Sequence, residues 1–301
     1  MQLFLQRVFD SMNNGASYAV VAIALVLIFK ATTLVNFAQA NMAMFGSYLA
    51  WWFHGTVPIW IAIFLAMALS AVGGALIERV LIRPFDPSDH LPVVLITFGV
   101  AAILEATAGR FWGLEFHKFE SPFPAQPDDY IGIGGARLRY ETLGTLLAMG
   151  LMVAAVFLIL NRTKIGLAFR AVSSNVESAR LVGVRTGRTL QFGWALAAAL
   201  GTLGGTLVAK QTNLEPAFMA KLVIFAFAAA VLGGLDSIGG SVIAAFIVAI
   251  IQSLLVGYAQ SIPGLGWLKS NFALVVAFVL ILVVLLFKPA GLYGTKRVER
   301  V

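Results

Sequence analysis

Along the chain, uncharged apolar stretches alternate with short charged connections, and the lengths of the stretches define the elements. A helix that crosses ~30 Å of hydrocarbon needs about 20 mostly apolar residues. Stretches of this kind run from Ser11 to Phe29, Ala31 to Ile77, Leu91 to Leu104, Thr142 to Asn161, Thr189 to Ala209, Leu222 to Leu235, Ser237 to Gly257 and Ser270 to Phe287. The second holds 47 residues, too many for one helix, and His54-Gly55-Thr56-Val57-Pro58 supplies the turn that divides it. Nine hydrophobic segments result, eight or nine of them spanning. The pattern predicts an all-α integral membrane protein, a polytopic helical bundle of 8–9 transmembrane segments forming a single domain over residues 1–301. The first stretch lacks signal-peptide anatomy, because Arg7 is balanced by Asp10 and no small-residue cleavage site closes it.

Composition agrees. Hydrophobic residues make up 60% of the chain and charged residues 12%, against roughly 25% charged in soluble domains. With a mean hydropathy of +0.91, the apolar surplus has to face lipid. A net charge of +7 would point to nucleic acid in a soluble protein; here it reflects Lys and Arg retained on the cytoplasmic side. The connection 162–188 holds Arg162, Lys164, Arg170, Arg180, Arg185 and Arg188 against Glu177 alone, and the tail holds Lys288, Lys296, Arg297 and Arg300 against Glu299. In the loop 110–141, four basic residues meet five acids. The expected topology therefore puts the 162–188 loop, the C-terminus, Arg79 and Arg83 in the cytoplasm and the 110–141 loop outside. The N-terminus is cytoplasmic if Asn36–Phe53 is re-entrant and external if that segment spans.

Three places are not plain lipid-facing helix. Asn36, Gln39 and Asn41 put three amides at the start of an apolar segment, where an unpaired amide is costly. They are either interhelical packing, with Gly46 and Ser47 allowing close approach, or the end of a broken helix lining a solute path. Gly233-Gly234-Leu235-Asp236-Ser237-Ile238-Gly239-Gly240 marks a tight break in which Asp236 is either the cap of the following helix or a site residue. Glu105 lies deep in the segment that starts at Leu91, so it is paired, faces an aqueous cavity, or sits near the outer interface. Trp51, Trp52, Trp60, Trp112 and Trp267 fall near span ends as an interfacial belt, and Gly201-Thr202-Leu203-Gly204-Gly205 suits close helix contacts. The chain has no P-loop, no G-x-S-x-G, no Cys and no paired His spacing, so it predicts neither ATP binding of the P-loop kind, nor hydrolase chemistry, nor a metal site.

The most specific feature is Thr163-Lys164-Ile165-Gly166-Leu167-Ala168-Phe169-Arg170, followed by Glu177-Ser178-Ala179-Arg180-Leu181-Val182-Gly183. Val176, Ala179 and Val182 or Gly183 give a short amphipathic helix that Gly183 can end. It is either a basic patch resting on anionic headgroups or a helix presented to a cytoplasmic partner.

These residues resemble the ATPase-docking segment of ABC importer permeases, with its pattern E-A-A, three residues, then G: Glu177, Ala179 and Gly183 fit, with Ser178 in place of the middle Ala. The wider chain, from about residue 10 to 295, resembles the branched-chain amino-acid permease family. Asn36-Phe37-Ala38 matches the start of its N-F-A-H-G-E, and Gly46-Ser47-Tyr48 its following G-[AS]-Y. Val231 to Gly240 matches its L-G-G-x-G-S-x-x-G, and Phe287 to Gly294 its closing F-[RK]-P-x-G-L-[FY]-G. The chain departs from the pattern at Gln39, Ala40 and Asn41, at Asp236, and at Lys30, where the family has a small residue.

The resemblance implies a permease subunit of the vitamin B12-permease (type II) fold, multi-pass in the bacterial inner membrane and not itself an enzyme. It implies half of a translocation path for branched-chain amino acids, shared with a second homologous permease and served by two cytoplasmic ATPase subunits and a periplasmic solute-binding protein. ATP and Mg would be bound by those partners; no cofactor and no nucleic acid belong to this chain. On this expectation Gly166, Arg170, Glu177, Ala179 and Gly183 form the coupling loop, and Asn36, Gln39, Asn41, Glu105 and Asp236 are candidates for the path. Urea, short amides and aromatic acids are carried by close relatives of the family. A stand-alone ion-coupled transporter, for which Glu105 alone offers a deep acid, is the rival from another class, and a passive channel a third.

Overall fold

The computed structural model describes residues 2–85, 90–259 and 272–294. Trp267, Ser270 and the tail residues Lys296, Arg297 and Arg300 lie outside them. Every predicted apolar segment is a helix: α1 (Gln2–Thr32), α2 (Gln39–His54), α3 (Ile59–Ile77), α4 (His90–Trp112), α5 (Tyr140–Arg162), α8 (Thr186–Thr212), α9 (Met219–Gly233), α10 (Ile238–Ala259) and α11 (Phe272–Phe287). Among the described residues, six helices are long and apolar enough to cross a membrane: α1, α3 with its extension to Ile82, α4, α5, α8 and α10. The 162–188 connection adds two short helices, α6 (Lys164–Ser174) and α7 (Val176–Leu181). The chain is an all-α polytopic membrane protein, with one small hairpin among the described residues.

That hairpin, β1 (Tyr130–Ile133) and β2 (Ala136–Arg139), was not foreseen within the 110–141 loop. Its signal is Gly134-Gly135 between alternating residues: both glycines have positive φ, +58° and +82°, as a two-residue hairpin turn requires.

Contacts divide the described residues into two compact units, one drawn from 1–26, 121–149 and 221–301, the other from 27–120 and 150–220. In the first, Gln2 donates to Gly135 O at 2.7 Å and Arg137 N donates to Gln6 at 2.9 Å, so the start of α1 is fastened to the hairpin. Farther along α1, Gly15 lies against Phe246 and Tyr18 donates to Gln252 at 2.7 Å, which packs α1 on α10. The two glycine motifs meet here. Leu292 N and Tyr293 N donate to Leu232 O and Gly233 O, and Gly234 (φ +104°) lies where a Cβ would meet the backbone of Gly294. The cap role open to Asp236 falls to Ser237, whose hydroxyl accepts from Gly240 N at 3.1 Å.

In the second unit α8 is the central helix, with α2 and α3 packed on it and α4 on α2. Small residues set this packing. A Cβ on Gly201 would meet the Gln39 amide, one on Gly205 would meet Ser47, and one on Gly46 would meet Thr202. The succession of contacts fixes directions. Gln39 meets Ala197 and Gly201, and Ser47 meets Gly205, so α2 runs parallel to α8; Gly74 meets Trp194 while Gln191 bonds Ala75, so α3 runs antiparallel. The apolar part of α8 runs from Thr189 to Ala209, and at 1.5 Å per residue Ala197 and Gly201 are each about 12 Å from an end. Helix α2 therefore begins at the middle of the apolar depth. Its 16 residues reach about 24 Å, short of a full crossing.

Gly201→Leu should drive a side chain into Gln39 and Ala43 and cost about 1–3 kcal/mol, measured as a lower thermal midpoint of the purified protein in detergent. Gly150→Leu, where a Cβ meets nothing within 4 Å, should leave the midpoint unchanged or slightly raised.

Candidate functional site

The break before α2 is made by polar side chains rather than by proline or glycine. Thr33 takes φ +58°, and Asn36 accepts from Ala38 N at 3.0 Å through its side chain. Asn36 and Gln39 are buried and face each other at 3.4 Å, while Gln39 donates onward to Ala197 O at 3.1 Å. Two of the three amides thus close the break internally.

Asn41 does something different. It donates at 3.1 Å to Glu105 of α4. Helix α4 continues to Trp112, two turns beyond Glu105, so the carboxylate lies inside the span, about 10 Å from its end. Glu105 is exposed on the surface of this unit, and no Lys, Arg or His pairs with it among the described residues. Aromatic pairs bracket it. Phe37 stacks on Phe98 with ring centroids 4.5 Å apart, and Phe45 meets Trp112 edge-on at 5.3 Å. Phe98, Glu105 and Trp112 are seven residues apart on α4 and face in turn Phe37, in the turn before α2, and Asn41 and Phe45 on α2, so the two sides carry one strip of aromatic, polar and aromatic pairs. Beside it, an apolar cleft of about 320 Å³ between α2, α3 and α4 has Phe45 and Leu104 in its wall and Ser70 as its one polar side chain. Asp236 belongs to the other unit, where its carboxylate lies beside Gly294.

The 162–188 connection is ordered by caps. Thr163 accepts from Gly166 N at 3.0 Å and opens α6; Asn175 accepts from Ser178 N at 2.8 Å and opens α7. Gly166 permits α6 to fold back onto α5, since a Cβ there would strike the carbonyls of Ile159 and Leu160. Gly183 ends the second helix at φ +83°. Ala179 is buried and Glu177 exposed, while Arg170 reaches Asn161 at 3.4 Å. Val182, expected on the packed face, points outward: Leu181 is 88% and Val182 77% exposed.

An ion pair that sequence reasoning missed adjoins this loop. Past Ile77, α3 widens into a π turn (Glu78–Ile82), closed by Arg83 N donating to Glu78 O at 2.7 Å. Residues five apart, which an α-helix separates, are thereby stacked. Arg83 donates twice to the buried Glu78 carboxylate, at 2.5 and 3.2 Å, and once to Gly187 O at 2.8 Å. Arg180 of α7 in turn donates to Thr186 at 3.2 Å. Contacts thus run from α7 through the start of α8 to the end of α3. The only sequence signal was an acid and a base five residues apart at a span end.

Among the described residues, six apolar helices long enough to cross a membrane, with polar groups gathered at the start of a shorter one inside the apolar depth, define a polytopic membrane protein. It belongs to the family described as branched-chain amino acid transport system / permease component, whose model matches residues 7–285. It is 28% identical to the high-affinity branched-chain amino acid transport system permease protein LivH of Salmonella typhimurium, across 99% of this chain and 98% of that one. Identity to the corresponding permease protein BraD of Pseudomonas aeruginosa is 27%, with the same coverage. The galactose/methyl galactoside import permease protein MglC of Escherichia coli is 30% identical across 62% of this chain and 54% of its own length.

Arg83→Ala should leave Glu78 buried without its partner and cost about 3 kcal/mol, at the low end for a buried pair because Arg83 is itself 36% exposed. Glu78→Leu combined with Arg83→Leu should recover most of that loss. Thermal unfolding of the two variants beside the unaltered chain checks this, and equal midpoints for the single and double variants would contradict it.

Proposed function

We propose that this chain is one half of the membrane path of an ATP-driven importer of branched-chain amino acids, coupled to a cytoplasmic ATPase through residues 163–184. The observation that carries it is the end of α7. There Glu177, Leu181 and Val182 stand exposed on a helix that is capped at Asn175 and stopped at Gly183. Two aliphatic side chains left bare on a polar loop are stabilised when a partner covers them, by about 1.5–3 kcal/mol each. The resemblance of Glu177, Ala179 and Gly183 to the docking pattern supports an ATPase as that partner. The relatives that match over nearly the whole chain support branched-chain amino acids as the substrate.

In this reading the 162–188 loop and the C-terminus are cytoplasmic, the membrane is the bacterial inner membrane, and the 110–141 loop faces outward together with the N-terminus, which is fastened to its hairpin, so the break and α2 together count as one crossing. A second homologous permease completes the path, a periplasmic solute-binding protein delivers the substrate, and two ATPase subunits bind ATP and Mg. Closure of the ATPases moves α7; Arg180, Thr186, Arg83 and Glu78 pass the movement to α8 and α3. Helix α2, seated on both, changes which side the strip of Asn41 and Glu105 faces. Asn36 and Gln39 hold the break through which this happens.

Co-purification tests the docking step. Leu181→Ser with Val182→Ser should weaken ATPase retention at least ten-fold and leave the thermal midpoint of the isolated chain unchanged. Gly183→Val, strained by about 1–2 kcal/mol in the left-handed region, should do the same by misdirecting the loop. Full retention of the ATPase, with ATP-driven uptake intact in reconstituted vesicles, would show the assignment to be wrong.

A further inference from the structure

The strip between α2 and α4 contains more than a route. An exposed carboxylate inside a span, unpaired with any cation among the described residues, is unfavourable unless water or a positive charge reaches it. We propose that Glu105 and Asn41 hold the ammonium group of the transported amino acid during its passage; this rests on the permease reading above.

Donation of Asn41 Nδ2 to Glu105 at 3.1 Å leaves the other carboxylate oxygen and the amide oxygen of Asn41 as acceptors. An ammonium donates three N–H groups and gains from charge-assisted bonds to such acceptors. The surroundings select an organic cation. A hard metal ion takes six or more oxygens, and among the described residues no three metal-ligating side chains cluster. Above and below, the Phe37–Phe98 and Phe45–Trp112 pairs offer aromatic surface to a cation and to an aliphatic chain. The apolar cleft begins at Leu104 and Phe45 and has no charged group in its wall, so it suits a branched aliphatic side chain. With one carboxylate and an open face, binding is weak enough for release, as a transport step needs.

Glu105→Gln is the informative variant, because its amide oxygen still accepts from Asn41 while the charge is gone. In the full complex reconstituted in vesicles, it should keep normal assembly and ATP hydrolysis stimulated by the loaded binding protein. Leucine uptake should fall about ten-fold or more. Wild-type uptake of leucine with the variant within two-fold of it overturns the ammonium site and spares the importer reading. Loss of the second permease from the Glu105→Gln complex also overturns the site, since Glu105 is then an interface residue. A wild-type complex that carries a sugar and no amino acid overturns both. A second measurement is independent of transport. In this naturally Cys-free chain, Ala101→Cys should react about ten-fold faster with a cationic ethylammonium thiosulfonate than with its anionic sulfonate counterpart, and Glu105→Gln should abolish that preference. Equal rates in both backgrounds overturn the proposal.

Discussion

Inside hydrocarbon, every backbone and side-chain polar group has to find its partner within the protein, and the packing of the second unit follows from how that is done at the start of α2. A helix that begins at mid-depth presents unpaired N–H groups and needs polar side chains to close its end. Asn36 and Gln39 do this, with Gln39 reaching the Ala197 carbonyl. That bond forms only if α2 and α8 nearly touch, which explains Gly201 and Gly205 on one helix and Gly46 on the other. Once the break is closed by two amides, the third is free to serve a surface, and Asn41 brings α4 in through Glu105.

Much of this was legible in the sequence because membrane spans obey a simple length rule. The apolar runs became helices, and the turn at His54–Pro58 divides α2 from α3. The end of α7 was equally legible, since Gly183 is a local signal whose meaning hardly depends on neighbours. What sequence could not supply were relations set by packing. The division of labour among Asn36, Gln39 and Asn41 depends on which helix each faces. Glu105 lay near the apparent end of a run only because charge, not helix geometry, ended that run; the helix itself goes on to Trp112. Arg83 meets Glu78 through a π turn that no periodicity rule anticipates. The hairpin was a missed local signal, as Gly134-Gly135 between alternating residues was there to be read.

The two places that attract function are joined by contacts within one unit. From α7, a path of hydrogen bonds runs through Thr186, Gly187, Arg83 and Glu78 to the end of α3, and both α3 and α8 support the short helix α2. An ion pair with one buried partner at a helix end is a poor source of stability but can fix register. That is what a loop moved from outside would need in order to displace a helix rather than bend it.

The proposed path rests on α2 beginning at mid-depth with Asn36 and Gln39 turned inward and Asn41 turned toward a watered face. Single cysteines at these three positions in the reconstituted protein, probed with a small membrane-impermeant thiol reagent, test it most directly. Modification is expected at position 41 in at least one nucleotide state, with protection at positions 36 and 39 in all of them. Reaction at 36 or 39 as fast as at 41, or no reaction at 41 in any state, would contradict it.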